Sequence, residues 1–92
     1  MLVLSNSQYN QKTEDIVVSA ITSNVDEKEY AVIIINKDME EGTLKVDSCV
    51  RTDKIYTLSQ YIVLKKFGSV KIDVLKKVKS KLTSLLEEDE PF

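Results

Sequence analysis

Ninety-two residues bound a single domain with room for one small core. Apolar residues make up 42% and charged residues 30%, the balance of a globular chain rather than a disordered one. One cysteine and no histidine exclude an internal disulfide, a zinc site of His or Cys ligands within one chain, and a Ser-His or Cys-His catalytic pair.

The longest apolar run, Ala31 to Ile35, is far short of a membrane span. Met1-Leu2-Val3-Leu4 lacks the basic start of a signal peptide, and a lone Cys49 suits a reducing compartment, so a cytoplasmic protein is expected. The net charge of −2 hides an asymmetry. Residues 1–44 carry three lysines against eight acids, residues 45–86 carry ten basic residues against three acids, and residues 87–92 form an acidic tail. A basic middle half can attract a phosphate backbone locally; its ordinary reading is a lysine-decorated, solvated surface.

In chain order, Leu2 to Ser5 reads as a strand, and Asn6 to Lys12 as a loop or short helical turn. Asp15 to Ile21 is a β-rich run suited to a buried strand, ended by Thr22-Ser23-Asn24. Val25 to Glu29 reads as an acidic loop. Ala31 to Ile35 is a second buried-type strand, and Gly42 marks a turn. From Leu44 the chain reads as extended, with Leu44, Val46, Ser48 and Val50 on one face, continuing through Ile55 to Leu58. Tyr61 to Leu64 starts a predicted last strand that ends near Gly68. Ser69 is a predicted N-cap, and Asp73 suits the positive end of a helix dipole. Ile72, Leu75, Val78, Leu82 and Leu85/Leu86 then recur at helical spacing, as an amphipathic helix of about four turns requires. Strands first and one helix last predict a small, strongly bent sheet or partial barrel with a helix packed on it.

Three stretches carry candidate chemistry, of which Ser5 to Tyr9 offers hydroxyls and an aromatic ring and has a capped loop entry as its ordinary reading. Thr22 and Ser23 are a hydroxyl pair where a buried strand emerges. Arg51 and Asp53 lie two apart on an extended strand and project from one face, with Cα atoms roughly 6–7 Å apart. Arg51 is the only arginine against twelve lysines, so it marks a place where a planar, bidentate donor is of use. The competing reading is an ordinary surface ion pair of little energetic weight.

These stretches also carry a resemblance. Val17-Val18-Ser19-Ala20-Ile21-Thr22-Ser23 resembles the strand-ending "P-[IV]-T-[ST]" of the MazF/PemK toxin endoribonucleases, with Ala20 in the proline place. Gly42 to Leu58 resembles their "G-L-x-x-x-S-x-V-x-x-D-x-[IL]-x-T-[LI]" segment, and Leu64-Lys65-Lys66-Phe67-Gly68 with the closing helix resembles "K-x-G-x-[LVI]". The likeness runs from Leu2 to about Leu86. It implies one domain over residues 1–86, mainly β with a C-terminal α-helix, in a small SH3-like barrel. It also implies a homodimer, an antitoxin partner, no cofactor, and metal-independent cleavage of single-stranded RNA. By position, the resemblance makes Thr22 the threonine that holds the scissile phosphate and Arg51 the group that neutralises developing charge. Asp53 becomes the base or the group that orients Arg51. Ser23 and Lys54 become substrate contacts. Members of this family usually begin with a further strand and an arginine-bearing loop upstream of the segment matching Leu2. Their apparent lack here makes an incomplete barrel and a weakened site the expectation. The alternative is a non-catalytic protein on the same fold, binding an antitoxin or a protein target such as gyrase.

Overall fold

The computed structural model describes residues 1–25, 29–63 and 66–87. Its strands are β1 (Leu2–Val3), β2 (Asp15–Thr22), β3 (Ala31–Ile34), β4 (Met39–Glu41), β5 (Ser48–Ser59) and β6 (Ser69–Val70), and its helices are α1 (Ser7–Lys12) and α2 (Ile72–Leu86). An antiparallel four-stranded sheet has the order β1-β2-β5-β3, and β4 pairs with β6 in a separate ribbon. The fold is therefore mainly β with a closing helix, the class expected.

Period-two alternation explains the core. Ile21 of β2, Val50 of β5, and Val32 and Ile34 of β3 turn to one face of the sheet, where Val74 and Val78 of α2 cover them. Leu2, Leu4, Leu44 and Val70 pack around this cluster. The other face carries Ala20, Thr22, Cys49, Arg51, Ala31 and Ile33, by the pairings Ala20↔Arg51, Thr22↔Cys49, Ala31↔Arg51 and Ile33↔Cys49.

The helix packs through a narrower ridge than the sequence spacing predicts. Val74 and Val78 are buried, Leu75 and Leu82 are half-buried, and Ile72 and Leu86 are exposed. Ser69 does not cap α2. It belongs to β6, paired with Glu41, and Lys71 occupies the cap position with its N–H bonded to the Asp38 carbonyl at 2.8 Å. The ribbon thus takes Ser69 before the helix can use it.

Two further expectations are corrected. Tyr61 does not open a strand: Gln60–Ile62 is a 3-10 turn, Ser59 Oγ accepts the Tyr61 N–H at 3.2 Å, and Leu64 lies outside the described residues. Gln60 Nε2 donates to the carbonyls of Asn10 (2.7 Å), Asp15 (2.9 Å) and Thr13 (3.3 Å), which ties this turn to the loop between α1 and β2. The extended face predicted from Leu44 begins only at Ser48. Leu44 N–H is held by Asn36 Oδ1 at 2.8 Å, and Ser48 Oγ folds back onto the Val46 carbonyl at 3.1 Å. Gly42 does mark a turn, at φ +82°, and a Cβ there would collide with the Phe67 carbonyl. Residues 26–28 of the acidic loop, Lys65, and residues 88–92 of the acidic tail lie outside the described residues.

Candidate functional site

Arg51 and Asp53 sit where the sheet is irregular. Along β2, Ser19 pairs with Ile55 and the next residue, Ala20, pairs with Arg51, so Thr52, Asp53 and Lys54 form a bulge on β5. A bulge bends its strand and re-aims the side chains it carries. Here it also separates two parts of β5: up to Arg51 the strand pairs with both β2 and β3, and from Ile55 onward with β2.

Buried hydroxyls secure both sides of the irregularity. Ser19, fully buried, donates its Oγ–H to the Arg51 carbonyl at 2.5 Å. Thr52, also fully buried, sends its N–H (2.9 Å) and its Oγ–H (2.5 Å) to the Tyr30 carbonyl. The small side chains of Ala20 and Ala31 flank Arg51 in its row of the sheet.

The Arg51 guanidinium grips Asp53 by two parallel bonds, Nε–H to Oδ1 at 2.9 Å and Nη2–H to Oδ2 at 2.8 Å. This is the forked geometry that arginine and not lysine provides. The Arg51 hydrogen bond is the main reason that the Asp53 carboxyl lies below its ordinary range; desolvation opposes it, and a backbone hydrogen bond and the charges of Arg51 and Lys54 add smaller lowering contributions. Such a carboxylate is ionised at neutral pH and is a poorer base than an unperturbed one.

Thr22 closes β2 one row beyond Arg51. It pairs with Cys49 while Arg51 pairs with Ala20, so the two side chains share a face as diagonal neighbours, roughly 7–8 Å apart. Thr22 is half-buried and its Oγ1 accepts the Asn24 N–H at 3.1 Å. Ser23 is exposed just past the strand end, and Lys54 is exposed within the bulge. The structure therefore brings Thr22, Arg51 and Asp53 into one neighbourhood, with Ser23 and Lys54 at its rim. Sequence reasoning missed Ser19 and Thr52; a serine inside Val17-Val18-Ser19-Ala20-Ile21 was the one visible signal.

Among the described residues, no group of three or more His, Cys, Asp or Glu side chains could hold a metal ion. No helix among them is long and apolar enough to cross a membrane. A cavity of about 340 Å³ opens between β3 and α2, lined by Ala31, Val32, Ile33, Lys77, Ser80 and Lys81, and contains none of the five predicted site residues.

The family model for the PemK-like, MazF-like toxins of type II toxin–antitoxin systems matches residues 1–86. The chain belongs to that family. Solved structures share the PemK-type half-barrel. One is an endoribonuclease from Mycobacterial species, 23% identical over 98% of this chain and 81% of that chain, with a TM-score of 0.80. Another is that of MazE-MazF (Form-II) from Deinococcus radiodurans, 26% identical over 96% of this chain and 80% of that chain, with a TM-score of 0.77. A third is an endoribonuclease in complex with its cognate antitoxin from Mycobacterial species, 22% identical over 98% and 82% of the two chains, with a TM-score of 0.75. Comparison with curated protein sequences gives no match. For a MazF-like chain, the strand end at Thr22 and the β5 bulge are where the family resemblance expected the site.

Proposed function

We propose that this chain is the toxin of a type II toxin–antitoxin module and cuts single-stranded RNA through Thr22, Arg51 and Asp53. The observation that carries the reading is the shared sheet face: a hydroxyl and a guanidinium at diagonal positions of the β2–β5 pairing, the guanidinium fixed by a carboxylate. In the proposed reaction the ribose 2′-OH gives its proton to water as its oxygen bonds to the adjacent phosphorus, the phosphorus–5′-oxygen bond breaks, the leaving 5′-oxygen takes a proton from water, and a cyclic phosphate remains. The nucleophile is part of the substrate, so the chain's task is to position it and to stabilise charge on the crowded phosphorane oxygens. Thr22 donates its hydroxyl to a non-bridging oxygen, and Arg51 offsets the developing negative charge. Asp53 holds Arg51 in place rather than acting as base, which agrees with its lowered pKa.

Ser23 and Lys54 contact the neighbouring sugar-phosphate backbone. Tyr56 pairs with Val18, two rows from Arg51 on the same face, and the residue is 44% exposed, so that its ring can stack on an adjacent base. The working form is a homodimer of the domain over residues 1–86, and its protein partner is an antitoxin, with residues 87–92 an acidic tail. One observation favours the alternative, a non-catalytic toxin-fold protein that binds an antitoxin or another protein target: the Asp53 carboxylate already occupies one side of the Arg51 fork. Incubation with a long single-stranded RNA in EDTA, with the cut ends mapped, decides between them. Cuts leaving cyclic phosphate ends support the nuclease, and intact RNA at high protein concentration supports the alternative.

A further inference from the structure

We propose that Ser19 is a positioning residue for the Arg51–Asp53 pair, acting through the bond from its hydroxyl to the Arg51 carbonyl at the β5 bulge. Its role in catalysis rests on the ribonuclease reading; its role in placing the pair does not.

Ser19 lies on the helix-facing side of β2, in a run that is otherwise apolar: Val17, Val18, Ala20 and Ile21. A hydroxyl with no exposure is costly to bury unless it is bonded. Its partner is the backbone of the residue that carries the guanidinium, on a strand 32 positions away in sequence. Ser19 is also the last β2 residue before the register break, so it fixes the carbonyl from which the bulge departs.

The other end of the same peptide segment is fixed independently. Thr52 places both its N–H and its hydroxyl on the Tyr30 carbonyl. The peptide unit joining Arg51 to Thr52 is thus clamped from β2 on its carbonyl side and from the residue before β3 on its amide side. Between these clamps the backbone has little freedom to rotate, and Asp53, one residue further on, meets the guanidinium with both oxygens. If the Ser19 bond is lost, the Arg51 carbonyl loses the side-chain bond that holds it at the bulge. The pair then keeps its charges but not its alignment. Parallel two-point bonds depend on that alignment more steeply than charge attraction does.

The test uses the whole chain and two substitutions, Ser19→Ala and Ser19→Cys. The thiol nearly keeps the volume, so it fills the site should the alanine variant fail to fold, while its weak and longer S–H bond does not reproduce the grip of the hydroxyl on the Arg51 carbonyl. Val78→Ala, on the buried face of α2, is the control for lost stability without contact to the site. Two quantities are read: the Asp53 carboxyl titration by NMR, and kcat and KM for a single-stranded RNA. Both Ser19 variants are expected to move the Asp53 titration up toward the ordinary carboxylate range and to lower kcat by about tenfold or more, with a smaller change in KM. The Val78→Ala control is expected to leave the Asp53 titration in place. Unchanged Asp53 titration in Ser19→Cys, or an equal shift in Val78→Ala, overturns the positioning role. Should the unaltered chain cut no RNA, the ribonuclease reading fails by itself, and the Asp53 titration still decides whether Ser19 places the pair.

Discussion

Arg51 and Asp53, two residues apart on β5, are joined by a pair of parallel hydrogen bonds at 2.9 and 2.8 Å. The carboxylate therefore titrates as part of the pair. Because its folded pKa is lowered, the stabilisation that it supplies is present above the unfolded value of about 3.9 and is lost as pH falls through the lowered folded value. At neutral pH the pair is intact. Arg51→Leu is expected to raise the Asp53 titration toward the unfolded value, measured by carboxyl NMR between pH 2 and 6. The melting temperature should change little, since both side chains are partly exposed, at 20% and 38%. An unmoved titration would show that the lowering has another cause.

Arg51→Lys keeps the charge and removes the fork. Cleavage of single-stranded RNA is expected to fall by about a hundredfold, in the range seen for loss of a transition-state donor. The circular dichroism spectrum should be unchanged. Full activity in this variant would leave only the surface ion pair as the role of Arg51.

Thr22→Val is almost isosteric, and the one side-chain hydrogen bond lost among the described residues is the exposed bond that Asn24 N–H donates to Thr22 Oγ1 at 3.1 Å. Cleavage should be abolished while thermal unfolding shifts by no more than a few degrees, roughly the effect of 0.5–1 kcal/mol. Parallel loss of stability and activity would instead mark the hydroxyl as a strand-end bond alone.

RNA affinity should fall as salt rises, through counterions released from phosphates near Arg51, Lys54 and Lys66. Tyr56→Ala is expected to weaken binding by about tenfold without altering that salt slope, since stacking involves no counterion. Salt-independent affinity, measured by fluorescence anisotropy, contradicts the phosphate contacts.

Gln60→Glu replaces the amide donor that serves three carbonyls with a group that is acceptor-only when ionised. Urea unfolding should show a loss of about 1–3 kcal/mol. An unchanged midpoint would mean that the turn after β5 holds without this clamp.

Much of the fold is legible along the chain because its signals are local. The runs at Asp15–Thr22 and Ala31–Ile34 announce buried strands, and the three- and four-residue spacing after Val70 announces α2. Where local and distant bonding compete, local reading fails. Ser69 has the chemistry of a cap and is taken by the ribbon, and Tyr61 to Leu64 has strand propensity yet Gln60 is committed to three distant carbonyls. The site divides in the same way. The two-residue spacing already places Arg51 beside Asp53. Their proximity to Thr22 depends on the register of β2 against β5, and the Ser19 bond on a bulge, neither of which any short window of sequence contains.

The central position of β5 also has a consequence for biosynthesis. β2 and β3 do not pair with each other; both wait for β5, whose far end, Ser59, closes the ladder with Asp15. Closing such long loops is entropically costly and slow compared with helix or hairpin formation. While the chain is being made, Thr22 is joined before Arg51, and no segment shorter than the one ending in β5 can assemble both on one face. Nascent chains therefore carry Thr22 before they can carry the site, and a translating cell meets the assembled surface only after nearly all of the sheet has been synthesised.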